Sequence, residues 1–129
     1  MVRSVVTAAG APKALGPYSQ AVVSDPFVFF AGQTPIDPAT GLLVDGGITV
    51  QTERVFDNLF AVLAAAGLTS DDVVKVNCYL TDMVNDFAAM NAVYARRFAE
   101  PYPARTTVCV AGLPAGANVE IELVARRRD

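Results

Sequence analysis

Two helices packed on one face of a sheet, in an α+β or α/β sandwich, is the fold class this sequence predicts. Two stretches place apolar residues at helical spacing, and several shorter ones are either continuously apolar or alternate with period two. They interleave as strand, helix, strand, helix, strand within 129 residues, which fits one domain spanning 1–129.

The opening Val2 to Thr7 reads as a short strand, followed by the turn-rich Gly10-Ala11-Pro12-Lys13 and Gly16-Pro17-Tyr18. Ala21 to Ser24 and Phe27 to Ala31 read as two strands, the second apolar on both faces and so central. Asp37-Pro38 through Gly46-Gly47 is a loop or hairpin excursion. From Ile48 to Ala66 the residues Val55, Leu59, Val62, Leu63 and Ala66 form a helical stripe, with Thr49 as N-cap and Gly67 at the stop. Val74, Val76, Cys78 and Leu80 alternate with Lys75, Asn77, Tyr79 and Thr81, the period of a strand with one buried face. A second helix spans Asn85 to Ala99, with Phe87, Met90, Tyr94 and Phe98 as its stripe and Pro101 and Pro103 beyond its end. Two final strands hold Arg105 and Glu120. The sheet face away from the helices is apolar where it should be wet. With 53 % hydrophobic and 18 % charged residues, the chain is expected to bury that surplus by homo-oligomerisation.

Composition excludes much chemistry. There is no histidine, which removes Ser-His and Cys-His pairs, HExxH zinc sites and any imidazole base. Cys78 and Cys109 have no CxxC spacing and are expected to be reduced core residues. The glycines form neither a phosphate loop nor a dinucleotide turn, so no metal and no organic cofactor is expected. A net charge of −3 argues against a nucleic-acid partner, and Arg126-Arg127-Arg128 reads as a solvated end. Met1 to Gly10 lacks a charged head followed by a long apolar run, and no stretch approaches a membrane span. A cytoplasmic protein with no membrane association is the expectation.

Against this background, Arg105 at the head of an apolar strand and Glu120 and Glu122 inside another stand out. A guanidinium can grip a carboxylate through two parallel hydrogen bonds, and a carboxylate in a partly apolar site gains proton affinity suited to acid–base work. Together they suggest a small pocket for an anionic substrate. The alternative is an intramolecular ion pair of Arg105 with Glu120 or Glu122. Glu120 and Glu122 share a strand face, so spacing does not separate them.

A series of short strings runs through the chain: Ala11-Pro12, Gly16-Pro17-Tyr18-Ser19-Gln20-Ala21, Ala31-Gly32-Gln33, Asp37-Pro38 with Gly41, and Ala65-Ala66-Gly67-Leu68. It continues with Asp86-Phe87, Asn91-Ala92-Val93-Tyr94, Tyr102-Pro103-Ala104-Arg105, Leu113-Pro114 and Val119-Glu120-Ile121-Glu122. Their order and spacing carry a resemblance to the YjgF/RidA family of imine deaminases along essentially the whole chain. It implies an α+β fold like that of chorismate mutase, a mixed sheet with two helices on one face, assembled as a homotrimer with a pocket in each cleft between subunits. The implied reaction is hydrolysis of 2-enamine and 2-imine acids, such as 2-aminoacrylate, to a 2-keto acid and ammonia.

Carried over by position, the resemblance makes Arg105 the clamp on the substrate carboxylate and Glu120 the group that handles water and relays a proton. Gly32 offers a backbone amide, Tyr18 and Asn91 hydrogen-bond the ligand, and Thr107 contacts it through its main chain. The residues alone allow blander roles: Tyr18 closing a turn, Asn91 bonded to backbone within its stripe, Gly32 ending a strand. Two departures bear on substrate choice, since typical members carry a hydroxyl residue where this chain has Ala31 and a cysteine where it has Thr107; Thr106 also replaces the usual small residue after the arginine. Three readings result: a broad imine deaminase, a pathway-specific deaminase of an amino-substituted unsaturated acid, and a non-catalytic trimer that binds keto acids.

Overall fold

The computed structural model describes residues 3–128. Six strands form one sheet in the order β1-β2-β3-β6-β4-β5: β1 (Ser4–Val6), β2 (Ala21–Ser24), β3 (Phe27–Gln33), β4 (Val73–Leu80), β5 (Ala104–Cys109) and β6 (Val119–Arg126). Helices α1 (Ile48–Ala65) and α2 (Met83–Arg97) complete an α+β fold. Only the β4–β5 pair is parallel, as it must be when α2 carries the chain back over the sheet between them. β3, apolar on both faces in sequence, lies inside the sheet between β2 and β6. Of the opening strand expected over Val2 to Thr7, Val2 lies outside the described residues.

One face of the sheet packs against the helices. Val28 and Phe30 of β3, Ile121, Leu123 and Ala125 of β6, and Val76, Cys78 and Leu80 of β4 are buried with Val55, Phe56, Leu59, Val62 and Leu63 of α1 and Met90 and Val93 of α2. The other face is open. It exposes Val5, Phe29 and Val108 at 64, 46 and 40 % and carries Asn77, Tyr79, Glu120 and Glu122 between them.

Four local expectations are corrected. The N-cap of α1 is Gly47 and not Thr49, which falls inside the first turn; the Gln51 N–H donates to the Gly47 carbonyl. Gly67 does stop α1, at φ +76°, with the Leu68 N–H returning to the Leu63 carbonyl at 2.9 Å. Helix α2 begins at Met83, two residues before the expected Asn85, because Asp82 caps it, accepting from the Asn85 N–H at 3.1 Å, and it ends at Arg97 rather than Ala99. In β4 a register shift against β6 between Val73 and Lys75 breaks the alternation, so Val73 is buried and Val74 is exposed. Cys78 is a core residue as expected, whereas Cys109 is exposed near the end of the edge strand β5.

Candidate active site

Arg105 sits on β5 in register with Val76 of β4. Val76 is fully buried beneath the helices, so Arg105 projects to the helix face and meets α2. Phe87, Asn91 and Tyr94 recur at helical spacing and present one face of α2 to it. The guanidinium carbon lies 4.6 Å from the centre of the Tyr94 ring and 5.7 Å from that of Phe87. Its Nη1 donates to Asn91 Oδ1 at 2.7 Å, so Asn91 is a partner of arginine and not of backbone. A cleft of about 390 Å³ opens here, lined by Asn91, Tyr94, Ala95, Tyr102, Pro103 and Arg105. No carboxylate among the described residues lies within salt-bridge distance of Arg105.

Glu120 occupies the opposite face. It pairs with Tyr79 across β4–β6 and alternates with the buried Val119 and Ile121, which face the helices. Strand β4 separates β6 from β5, and the parity of the two strands sends Arg105 and Glu120 to opposite sides of the sheet. The alternative reading, an intramolecular ion pair of Arg105 with Glu120 or Glu122, is therefore excluded. So is a pocket in which Arg105 and Glu120 meet within one chain.

What Glu120 does meet is Gly32. β3 is irregular between Phe30 and Gln33, and the irregularity brings Gly32 under the Glu120 side chain. A Cβ at position 32 would stand 2.9 Å from Glu120 Cδ and overlap its carboxylate, so any side chain there would push the Glu120 carboxylate out of this position. Burial raises the proton affinity of Glu120 above that of an ordinary carboxyl, and the charge of Glu122 adds to the effect. Glu122 accepts a 2.9 Å hydrogen bond from the Tyr79 hydroxyl. That hydroxyl is raised above the usual phenol value, first by burial and then by the bond to Glu122.

Tyr18 is 54 % exposed and lines a cavity of about 360 Å³ together with Lys13, Gln20, Gly32 and Gln33. Gln20 holds its loop: buried, it accepts from the Ala8 N–H and donates to the carbonyls of Ala8 and Pro12. The sequence-predicted residues thus form two half-sites, Arg105 with Asn91 on the helix side and Glu120, Gly32 and Tyr18 on the open side. Thr107 joins neither through its side chain. It is the cross-strand neighbour of Cys78, and its buried Oγ1 has no hydrogen-bond partner among the described residues. The Cys78 thiol is pushed up to about 11 by burial against the opposing pull of Arg105, which leaves it a protonated core residue at neutral pH.

Sequence reasoning took Tyr94 only as part of a stripe. Its ring carries the Arg105 guanidinium, and burial pushes its hydroxyl up to about 12. Gln20 and Tyr79 were also missed as site builders. The signal for Tyr79 was available, since it lies on the polar side of an alternating strand.

The family model described as Endoribonuclease L-PSP matches residues 8–127. The chain belongs to this family, the YjgF/RidA or Rid family. Among Rid-family relatives, a RutC family protein of Pyrococcus horikoshii is 51 % identical over 96 % of this chain and 98 % of its own length. A 2-iminobutanoate/2-iminopropanoate deaminase of Capra hircus is 44 % identical over 97 % of this chain and 90 % of its own. The crystal structure of RidA from the Antarctic bacterium Psychrobacter superposes with a TM-score of 0.91 at 45 % identity, covering 95 % of this chain and 98 % of that one. No helix among the described residues is long and apolar enough to cross a membrane.

Proposed function

We propose that this protein is a deaminase that hydrolyses 2-enamine and 2-imine acids, such as 2-aminoacrylate, to 2-keto acids and ammonia. It works as a homotrimer of single-domain subunits, with the chorismate-mutase-like arrangement. The observation that carries this reading is an arginine oriented by an amide and two aromatic rings with no carboxylate partner among the described residues, beside a cleft sized for a small acid. Arg105 is half-buried, and a ligand carboxylate supplies its missing anion through the bidentate fork. Relatives named 2-iminobutanoate/2-iminopropanoate deaminase support the choice of substrate.

The two half-sites belong to different subunits in this account. The open face, with its exposed Val5, Phe29 and Val108, is the surface a second copy covers. Docking places Arg105, Asn91 and the main chain of Thr107 from one subunit opposite Glu120, Gly32 and Tyr18 of its neighbour. Arg105 clamps the substrate carboxylate while the Gly32 amide and the Tyr18 hydroxyl orient the rest. The enamine first takes a proton from solvent at carbon to give the iminium. Glu120 takes a proton from water as the oxygen bonds to the iminium carbon, forming a carbinolamine. Glu120 then returns that proton to nitrogen; as the C–N bond breaks and the C=O bond forms, Glu120 takes the proton of the carbinol hydroxyl and passes it to the departing ammonia, which leaves as ammonium. Orientation and proton transfer suffice because an iminium beside a carboxylate is already electrophilic. No metal or organic cofactor takes part.

The family's description as an endoribonuclease suggests RNA cleavage instead. A chain with no histidine and a net charge of −3 lacks both the usual proton shuttle and the cationic surface for that polymer. The test is ammonia release from imino acids generated in situ by an amino-acid oxidase or dehydratase, with keto-acid binding measured in parallel. Accelerated ammonia release supports the reading. Keto-acid binding without turnover would leave a binding trimer.

A further inference from the structure

The open face holds a contact that the proposed chemistry leaves unused. Tyr79, Glu120 and Glu122 all lie there, with Tyr79 directly opposite Glu120 and diagonal to Glu122. The two carboxylates, two residues apart on β6, are drawn in opposite directions. Glu120 leans toward β3, where Gly32 leaves it room. Glu122 leans toward β4, where the Tyr79 hydroxyl donates to its Oε1 at 2.9 Å.

We propose that Tyr79 and Glu122 form a positioning pair for Glu120, in which the Tyr79 hydroxyl anchors Glu122 over β4 and leaves Glu120 alone above Gly32. The proposal rests on the assignment of Glu120 as the proton carrier. Without the anchor, two neighbouring carboxylates would compete for one proton and one substrate nitrogen. With it, Glu122 acts on Glu120 as a fixed charge from the side. A fixed negative neighbour strengthens a base, which suits a group that must take a proton from water and hand it to nitrogen. The raised proton affinity of Glu120, caused first by burial and then by the Glu122 charge, agrees with this.

In the proposed trimer Arg105 of the partner subunit faces Glu120 and is present unchanged in every variant compared; within the chain the other titratable groups around Glu120 are few. β4 contributes Lys75, whose Nζ is engaged by Thr106 Oγ1 at 2.9 Å, and Tyr79 itself. β3 offers only Phe29, Ala31 and Gly32. The N-terminal loop contributes Lys13 and Tyr18 to the cavity beside Gly32. Glu122 is thus the one acid among the described residues that shares this part of the face with Glu120.

The experiment compares wild type with Glu122→Gln and Tyr79→Phe, reading Glu120 directly by carbon-13 NMR titration of labelled glutamate and reading catalysis as the pH profile of kcat/KM. Glu122→Gln is expected to lower the Glu120 midpoint by on the order of one pH unit, and the acid limb of the profile should move with it. Tyr79→Phe should turn the Glu120 titration into two overlapping steps shared with Glu122 and lower kcat roughly tenfold with KM little changed. Should Tyr79→Phe fail to fold, Glu122→Gln carries the test alone. An unmoved Glu120 midpoint in Glu122→Gln overturns the pairing, even if stability falls. A wild-type enzyme that turns over no imino acid, yet shows the shift on substitution, sinks the deaminase reading and leaves the hold of Glu122 on Glu120 intact.

Discussion

Arg97 and Arg105 invite comparison, because each lays its guanidinium on aromatic rings and each belongs to the α2 neighbourhood, yet their anions differ. Arg97 lies 4.9 Å from the Phe60 ring centre and 5.6 Å from that of Phe56, and bonds Glu53 and Asp57 at 2.8 Å each. Arg105 lies 4.6 Å from Tyr94 and 5.7 Å from Phe87, and bonds one neutral amide, Asn91. The first is a completed clasp between two helices. The second has the same stacking support with the anions left out. A cation held in position without its counter-charge is what a carboxylate-binding site needs before its ligand arrives.

Removing each arginine breaks this comparison most directly. Arg105→Ala should abolish turnover and keto-acid binding with little change in melting temperature, and Arg105→Lys should rescue little because an ammonium cannot form the fork; steady-state kinetics and calorimetry check both. Glu120→Gln should follow in size, lowering ammonia release about a hundredfold or more while keto-acid binding survives. Asn91→Ala should lower kcat/KM about tenfold by freeing the guanidinium to rotate. Arg97→Ala should do the reverse, costing about 1 kcal/mol of stability in chemical denaturation and leaving kcat/KM unchanged.

The same contrast extends to pH, with opposite signs. The Glu53 carboxyl is held below its usual range, chiefly by the hydrogen bond from Arg97. Its contribution to stability is therefore present above the unfolded value and lost as pH falls through the folded one, and the Arg97→Ala penalty should shrink in acid. The Glu120 carboxyl is raised, so its contribution is present below the unfolded value and lost as pH rises through the folded one. The ionised form of Glu120 thus costs stability relative to the protonated one. Melting curves of Glu120→Gln should accordingly lie above wild type near neutral pH and converge with it in acid.

Much of the fold was legible because period carries it. The α1 stripe of Val55, Leu59, Val62 and Leu63 is buried as its spacing required, and Gly67 ends that helix through a positive φ that only its neighbours' geometry could demand. Positions 74 and 49 were misread for local reasons: an extra residue in β4 reverses the parity that alternation assumes, and backbone at Gly47 starts α1 before the first hydroxyl. The residues of the candidate site were legible as chemistry but not as geometry. Their division between two faces depends on β6 inserting between β3 and β4, a long-range choice of strand order that local pattern does not encode. The role of Tyr94 was hidden for a related reason, since a ring on an apolar stripe looks the same whether it meets another ring or a guanidinium.

The central claim is that Arg105 and Glu120 act on one substrate from two subunits. Subunit mixing tests it most directly: Arg105→Ala and Glu120→Gln proteins, each inactive alone, are dissociated together, reassembled at equal ratio and assayed for ammonia release. A clamp from one copy and a proton carrier from the next would restore about a quarter of wild-type activity, the share of interfaces that combine both intact residues. Hybrid trimers verified by mass spectrometry that remain inactive would contradict the account.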